Sequence, residues 1–216
     1  MTTLELLYLS TTLAPKRAKR AIDILMAFIL LVIAAPFLAL TLALIRLDSP
    51  GPALYRQWRI GAGGRPFRIL KLRSMVDGAE YGLESHLEAN LNHRDDWQRY
   101  QKLPDDPRLT LIGRFLRRWS LDELPQLWNV LIGEMSLVGP RPILPSQREI
   151  YGAKLNLYAK VKPGMTGLWQ VSGRNRTSFA ERVDWDARYV QSWSLGLDLA
   201  ILLRTLGVVL RGDGAY

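Results

Sequence analysis

The sequence predicts a small α/β protein, mostly helical with one short antiparallel β element, attached to a membrane through an N-terminal helix. Three observations carry that prediction. The first is an apolar run without a charge over 22 residues, from Ile24 to Ile45. The second is a pair of strand-like runs, "ALYRQWRI" and "PFRILKLRSM", on either side of Gly61, Gly63 and Gly64. The third is an apolar stripe of helical period that occurs twice between Ile112 and Leu131. At 216 residues and 48% hydrophobic content, the chain is long enough for one cored domain plus an attachment.

If fully helical, the apolar run would measure about 33 Å, enough to cross a bilayer core. It starts late and no polar cleavage region follows it, which argues against a cleaved signal peptide. Lys16, Arg17, Lys19 and Arg20 precede it, and Arg46, Arg56, Arg59, Arg65 and Arg68 follow. Basic flanks on both sides assign no orientation. Pro36, near the middle, withholds an amide from the carbonyl of Val32 and bends the helix. A re-entrant hairpin that returns to the cytoplasmic face explains both features; a kinked spanning helix is the other reading. The expected divisions are a basic segment at 1–20, the membrane helix at 21–47 and a cytoplasmic, membrane-associated domain at 48–216.

The two strand-like runs read as a β-hairpin with a glycine turn. The glycines lack the strand-to-helix context and the Lys-Ser/Thr of a phosphate-binding loop. Residues 77–106 are polar, with Leu83, Leu87 and Leu91 at helical spacing, and predict a short exposed helix and a loop. In "DPRLTLIGRFLRRW", Ile112, Phe115, Leu116 and Trp119 mark a buried face, with Arg114, Arg117 and Arg118 off it. In the next helix Leu124, Leu127, Trp128 and Leu131 repeat the pattern. "GLWQV" reads as a strand that leads into the loop "SGRNR". The C-terminal run "WSLGLDLAILLRTLGVVLRG" is interrupted by Asp198 and Arg204. It suits an amphipathic helix in the headgroup layer, with a buried core helix as the other reading.

Charge narrows the choice of partner. The formal net charge is +9, and 22 of the 29 basic residues are arginine. Arginine captures phosphate in a planar, bidentate way, so anionic lipid, phosphorylated substrate or nucleic acid are the candidates. No nucleic-acid motif is present. The chain has no cysteine, which excludes disulfides, thiolate metal sites and a cysteine nucleophile. Its two histidines, His86 and His93, lie in the polar stretch, which argues against a histidine triad or zinc cluster.

Against this basic background, "SLDELPQLWN" sets Asp122 beside Glu123 directly after "GRFLRRW". Capping is one explanation, since Ser120 and Glu123 fit S-x-x-E and Pro125 marks a helix start. Catalysis is the other. An aspartate at a helix N-terminus near guanidinium groups should have a depressed pKa and stay ionised, as a nucleophile or a ligand for a hard cation such as Mg²⁺.

"KRAIDILMA", "FRILKLRSM", "SLDELPQLWNVLIGEMSLVGPRP" and "VKPGMTGLWQVSGRN" occur in that order. Together they resemble the bacterial sugar transferases known as monotopic phosphoglycosyl transferases, from about Lys16 to the C-terminus. The resemblance implies transfer of a hexose 1-phosphate from a UDP-sugar to a polyprenol (undecaprenyl) phosphate, with release of UMP. That is the first membrane step of exopolysaccharide, capsule or O-antigen assembly, on the cytoplasmic face of the bacterial inner membrane. It also implies Mg²⁺ and a helix bent at a proline, which favours the hairpin at Pro36. Ala35 stands where some members have serine. The chain looks like the short, catalytic-core form, and its motifs resemble the galactose- or glucose-phosphate enzymes more than the bacillosamine type.

By resemblance Asp122 is the nucleophile, and Glu123 has a metal-binding or proton-handling role. Both are the expected metal ligands. Phosphate contacts are expected from Arg117 or Arg118, from Arg141 in "GPRP", and from Lys71 and Arg73, which alternate onto one strand face. Arg174 and Asn175, beside Gly173 and Arg176, are candidates for nucleotide or sugar contact. Asp186 matches a family acid but equally fits a helix surface. Two other functions fit the charge: a membrane-tethered protein that binds anionic lipid or nucleic acid without catalysis, and a glycosyltransferase that releases UDP. Oligomeric state is open, a homodimer included.

Overall fold

The computed structural model describes residues 3–79, 106–173 and 177–211, together with 83, 87, 88, 90, 93, 94, 97 and 103. Its longest element is α1, Thr3–Asp48, with Pro15 and Pro36 inside it. The portion Pro15–Asp48 is the one helix among the described residues long and apolar enough to cross a membrane. Pro36 withholds an amide from the Val32 carbonyl within this helix.

One stripe of α1 faces the rest of the protein. Asp23, Ala27, Thr41 and Ile45 are buried, with Leu31, Leu38 and Leu42 half-buried between them at helical spacing. Ile24, Leu25, Phe28, Ile33 and Leu40 point away and are exposed. Polar contacts fasten α1 on both sides of Pro36. On the N-terminal side Lys19 Nζ donates to Val138 O at 3.0 Å and to Asp198 Oδ2 at 2.6 Å. Asp23 accepts the Leu137 amide at 3.0 Å. On the other side Arg73 donates to Pro50 O at 2.8 Å and Ser49 Oγ at 2.9 Å, and Asp48 accepts the Ile112 amide at 3.3 Å.

The hairpin forms as expected. Strands β1 (Leu54–Ile60) and β2 (Pro66–Leu72) pair antiparallel, Leu54 opposite Leu72 and Ile60 opposite Pro66, around a 3-10 turn at Ala62–Gly64. Gly63 and Gly64 have φ of 67° and 72°, the left-handed region in which a side chain is strained. Most of the predicted helix and loop at 77–106 lies outside the described residues.

Next come α2 (Leu111–Arg118), a 3-10 turn (Leu121–Glu123) and α3 (Gln126–Ile132). A second, parallel pair that the sequence did not suggest follows: β3 (Ser136–Val138) against β4 (Gly164–Thr166). Two short helices, α4 (Arg148–Tyr151) and α5 (Leu155–Tyr158), lie between them. The chain continues through α6 (Leu168–Ser172), α7 (Phe179–Ser192) and α8 (Leu195–Arg211). The main core joins Phe67 and Ile69 of β2, Leu127 and Val130 of α3, Val138 of β3, Tyr189 of α7 and Ile201 of α8, with Ala27 from α1.

Four local readings change. "GLWQV" is not a strand: Leu168–Ser172 is helical, and the strand lies just before it. Gly164 and Gly139 approach so closely that a Cβ on Gly164 would lie 2.1 Å from Gly139 N, which pins β4 to the turn after β3 and leaves the next residues to helix. Ser120 is no N-cap. It has φ 55° and terminates α2 from a left-handed position where glycine is usual, its amide bonded to Arg117 O at 3.0 Å. Phe115 and Trp128 are more than half exposed, whereas Leu116 and Leu127 carry the burial on their helices. Asp198 is buried between Lys19, Tyr189 and Trp193, so it faces the core while Leu199, Leu203, Leu206 and Leu210 form the outer side of α8.

Gly113 sets how closely α2 approaches the end of β2, because a Cβ there would lie 1.9 Å from Ser74 O. Backbone cannot yield as a flexible side chain does. Gly113→Ala is expected to cost about 2 kcal/mol despite alanine's better helix propensity. A thermal midpoint equal to or above the wild type would show that α2 can shift freely.

Candidate active site

Asp122 and Glu123 lie on the 3-10 turn between α2 and α3, and their surroundings come from distant parts of the chain. Asn129 of α3 fastens this region to β2: its side-chain oxygen accepts the Leu70 amide at 3.0 Å and its nitrogen donates to Arg68 O at 2.8 Å. These bonds satisfy the open edge of the hairpin. They also bring Lys71, the next residue of β2, to the two acids.

The carboxylates have different partners. Glu123 Oε1 accepts from Lys71 Nζ at 2.8 Å and from Arg141 Nη2 at 2.7 Å, while Arg141 Nη1 reaches Oε2 at 3.4 Å. Asp122 has Lys71 Nζ no closer than 3.9 Å. Burial pushes the Glu123 carboxyl up, but Arg141 and Lys71 outweigh it and hold the group well below its ordinary range. Burial pushes Asp122 up, and Glu123 adds to that, against Lys71, Arg117 and Arg141. The sequence expectation of a depressed aspartate is therefore reversed: the cations bond Glu123, and Asp122 is desolvated without a comparably close partner.

Arg141 is presented by a rigid turn. Gly139 N bonds Thr166 O at 2.9 Å and Gly164 N bonds Pro140 O at 2.8 Å, which locks "GPRP" to β4. Arg59 donates to Pro142 O at 3.2 Å and Arg182 to Arg141 O at 3.1 Å. Burial, with Arg141 and Arg182 nearby, lowers the Arg59 guanidinium to about 10.

A family model described as bacterial sugar transferase matches residues 14–212. The chain belongs to this family. It is 48% identical to the undecaprenyl-phosphate galactose phosphotransferase of Salmonella typhimurium over 92% of this chain and 41% of that protein. It is 44% identical to the UDP-glucose:undecaprenyl-phosphate glucose-1-phosphate transferase of Caulobacter vibrioides, covering 92% of this chain and 72% of the relative. With the exopolysaccharide production protein ExoY of Rhizobium meliloti the identity is 43%, over 92% and 88%. The chain thus spans about two fifths of the Salmonella protein and most of the length of the other two.

The expected contact residues of this sugar transferase separate in space. Lys71 and Arg141 reach the acids. Arg117 bonds Ser74 Oγ at 2.9 Å and contributes to the field at Asp122. Arg73 does not share a face with Lys71: it lies past the end of β2 and turns to the loop after α1. Arg118 is exposed, its guanidinium 5.8 Å from the Trp119 ring centre. Arg174 and Asn175 lie outside the described residues.

Sequence reading missed Arg59, Asn129 and Arg182. For Arg59 the signal was available, because strand alternation across the paired hairpin sets it on the same face as Lys71. Arg182 is buried between Trp169 and Phe179, and nothing local in the sequence marks it.

Asp186 is buried behind Arg141, and not on a helix surface; it accepts the Tyr151 hydroxyl at 2.6 Å. Burial pushes its carboxyl up to about 6, against Arg182 and Tyr151. The folded state thus favours the protonated acid. Its contribution is fully present below the unfolded pKa near 4 and is lost as pH rises through about 6, worth about 3 kcal/mol. Thermal melts from pH 4 to 7.5 should show the wild type losing stability relative to Asp186→Asn as pH rises. A pH-independent difference would mean that Asp186 is ionised throughout.

Among the described residues no group of three or more acids or histidines gathers. Asp122 and Glu123 nevertheless fit Mg²⁺, which takes one or two carboxylates and completes its shell with water and substrate phosphate. Asp122 is the more available ligand, since Glu123 is already bonded to two cations.

Proposed function

We propose that this protein transfers hexose 1-phosphate from a UDP-sugar to a polyprenol phosphate, releasing UMP, in two steps through Asp122. The observation that carries the proposal is the division of labour between the acids. Glu123 gathers Lys71 and Arg141, and Asp122 is left beside them as a carboxylate without a close bond. The names of the Salmonella and Caulobacter relatives support the substrate classes, and that of the Rhizobium relative supports a role in exopolysaccharide production.

In the first step an Asp122 oxygen attacks the sugar-bearing phosphorus. The bond from that phosphorus to the bridging oxygen breaks, and its electron pair leaves on UMP. In the second, an oxygen of the lipid phosphate attacks the same phosphorus and the Asp122 carboxylate leaves. Lys71, Arg141 and Arg117 stabilise the charge that accumulates on the transferred group. Mg²⁺ held by Asp122 and Glu123 would neutralise diphosphate charge when bound.

The enzyme belongs, on this reading, to the bacterial cytoplasmic membrane, with the segment at 21–47 as a re-entrant helix and the domain from 48 onward on the cytoplasmic face. Attachment of α1 to the same domain on both sides of Pro36 supports the hairpin. Single cysteines at the exposed positions Lys16 and Arg56 should both resist an impermeant thiol reagent in intact cells. Labelling of either from outside would overturn the topology. For the activity, a panel of UDP-sugars with undecaprenyl phosphate should yield UMP. Release of UDP would make the protein a glycosyltransferase, and binding without product would make it a lipid-binding protein.

A further inference from the structure

Strand β1 turns one face to solvent and the other toward the dyad. Arg56 and Trp58 are exposed, whereas Tyr55, Gln57 and Arg59 alternate onto the inner face and are half-buried. Tyr55 stands directly opposite Lys71, whose ammonium bonds Glu123. Arg59 donates to the carbonyl of Pro142, the residue after Arg141, which is the other cation on Glu123. Gln57 lies between Tyr55 and Arg59 on this face, so it is bracketed by the two cations that Glu123 gathers. Its amide has a fixed direction. Arg59 also donates to Gln57 Oε1, and because a guanidinium can only donate, the amide nitrogen must face away from it. That nitrogen has no hydrogen-bond partner among the described residues. A neutral donor left open among bonded cations suits an acceptor that arrives from outside.

We propose that the Gln57 carboxamide donates to the phosphate of the UDP-sugar that leaves as UMP, which makes Gln57 a catalytic residue of the first step and not of the second. The proposal rests on the two-step reading through Asp122. In an in-line displacement the leaving oxygen lies across the phosphorus from the attacking one. Gln57 is displaced in that sense: it stands two residues, about 7 Å, along β1 from the position opposite Lys71, the cation nearest Asp122. When the bond to the bridging oxygen breaks, its electron pair stays on the departing phosphate, and an N–H group aimed at that phosphate bonds it more strongly as the charge grows. No proton is transferred. In the second step UMP has gone and the Asp122 carboxylate is the leaving group, so the amide has no charge to stabilise.

Two variants separate this role from support of Arg59. Gln57→Glu keeps an acceptor for Arg59 and loses the donor, and Gln57→Met loses both without adding an anion. With the full chain in detergent, a good UDP-sugar, Mg²⁺ and no acceptor, the UMP burst should slow about 30-fold in each. Transfer of hexose phosphate to undecaprenyl phosphate from the adduct, isolated free of UMP, should keep the wild-type rate in both. A wild-type burst in Gln57→Glu reduces Gln57 to a support for Arg59, and a wild-type burst in Gln57→Met reduces the effect to repulsion by the new carboxylate; either result overturns the proposal. So does equal slowing of the two steps, the mark of a disturbed fold. If the wild type turns over without any burst, the two-step reading fails, and equilibrium dialysis with UMP decides the contact. Both variants should then bind UMP about ten-fold more weakly than wild type. Equal affinity, or no binding by the wild type, overturns the contact.

Discussion

Asp122→Asn will fold yet lose turnover by at least about 10³-fold. The amide keeps the size of the side chain and removes a buried charge that has no close partner in the fold, so stability should change by no more than about 1 kcal/mol. On the proposed mechanism, what disappears is the attacking oxygen anion. Wild-type enzyme mixed in stoichiometric amount with a good UDP-sugar and Mg²⁺, without acceptor, should release a burst of UMP no larger than the enzyme concentration. It should gain the mass of one hexose phosphate on the peptide that contains Asp122, and lose it when lipid phosphate is added. Asp122→Asn should show neither. Turnover with acceptor in the absence of any burst or adduct would reassign Asp122 as a general base or metal ligand. Because the carboxyl is pushed up by burial, the burst rate should also fall as pH is lowered toward that raised value.

Glu123→Gln should behave differently, with activity and stability lost together. Glu123 is the shared anion of Lys71 and Arg141, whose side chains are 17% and 27% exposed. Its removal leaves two largely desolvated cations facing each other, a loss of about 3 kcal/mol. Adding Lys71→Met to Glu123→Gln removes one of those cations and should restore part of the stability, with no return of activity, because the proposed mechanism also uses Lys71 at the phosphates. A Glu123→Gln protein as stable as wild type would show that the pair contributes little to the fold. Recovery of turnover in the double variant would remove Lys71 from the chemistry.

The contrast between two neighbouring acids shows where sequence reading stops. The dyad was legible because it is contiguous and lies in a long motif. Its electrostatics were not. Local reasoning from the helix start and preceding arginines predicted a depressed aspartate, but of those arginines Arg118 turns outward and Arg117 bonds Ser74. The close cations come from residues 52 and 18 positions away in the chain, and they bond the glutamate. The same limit applies to Arg73. Alternation places it with Lys71 only while the strand continues, and β2 ends at Leu72.

The sequence by itself determined the apolar membrane-length run, the glycine-turned hairpin, the amphipathic helices around the dyad and the family. Each is a local pattern: an unbroken hydropathy, a period of two or of 3.6, or contiguous motifs. The tertiary structure alone decided that α1 is fastened to the domain on both sides of Pro36, through pairs such as Lys19 and Asp198, 179 positions apart. It also decided that Lys71 and Arg141 converge on Glu123. Which charges meet, and which are stripped of water, depends on how distant segments close around one core, and neither residue type nor spacing encodes that distance.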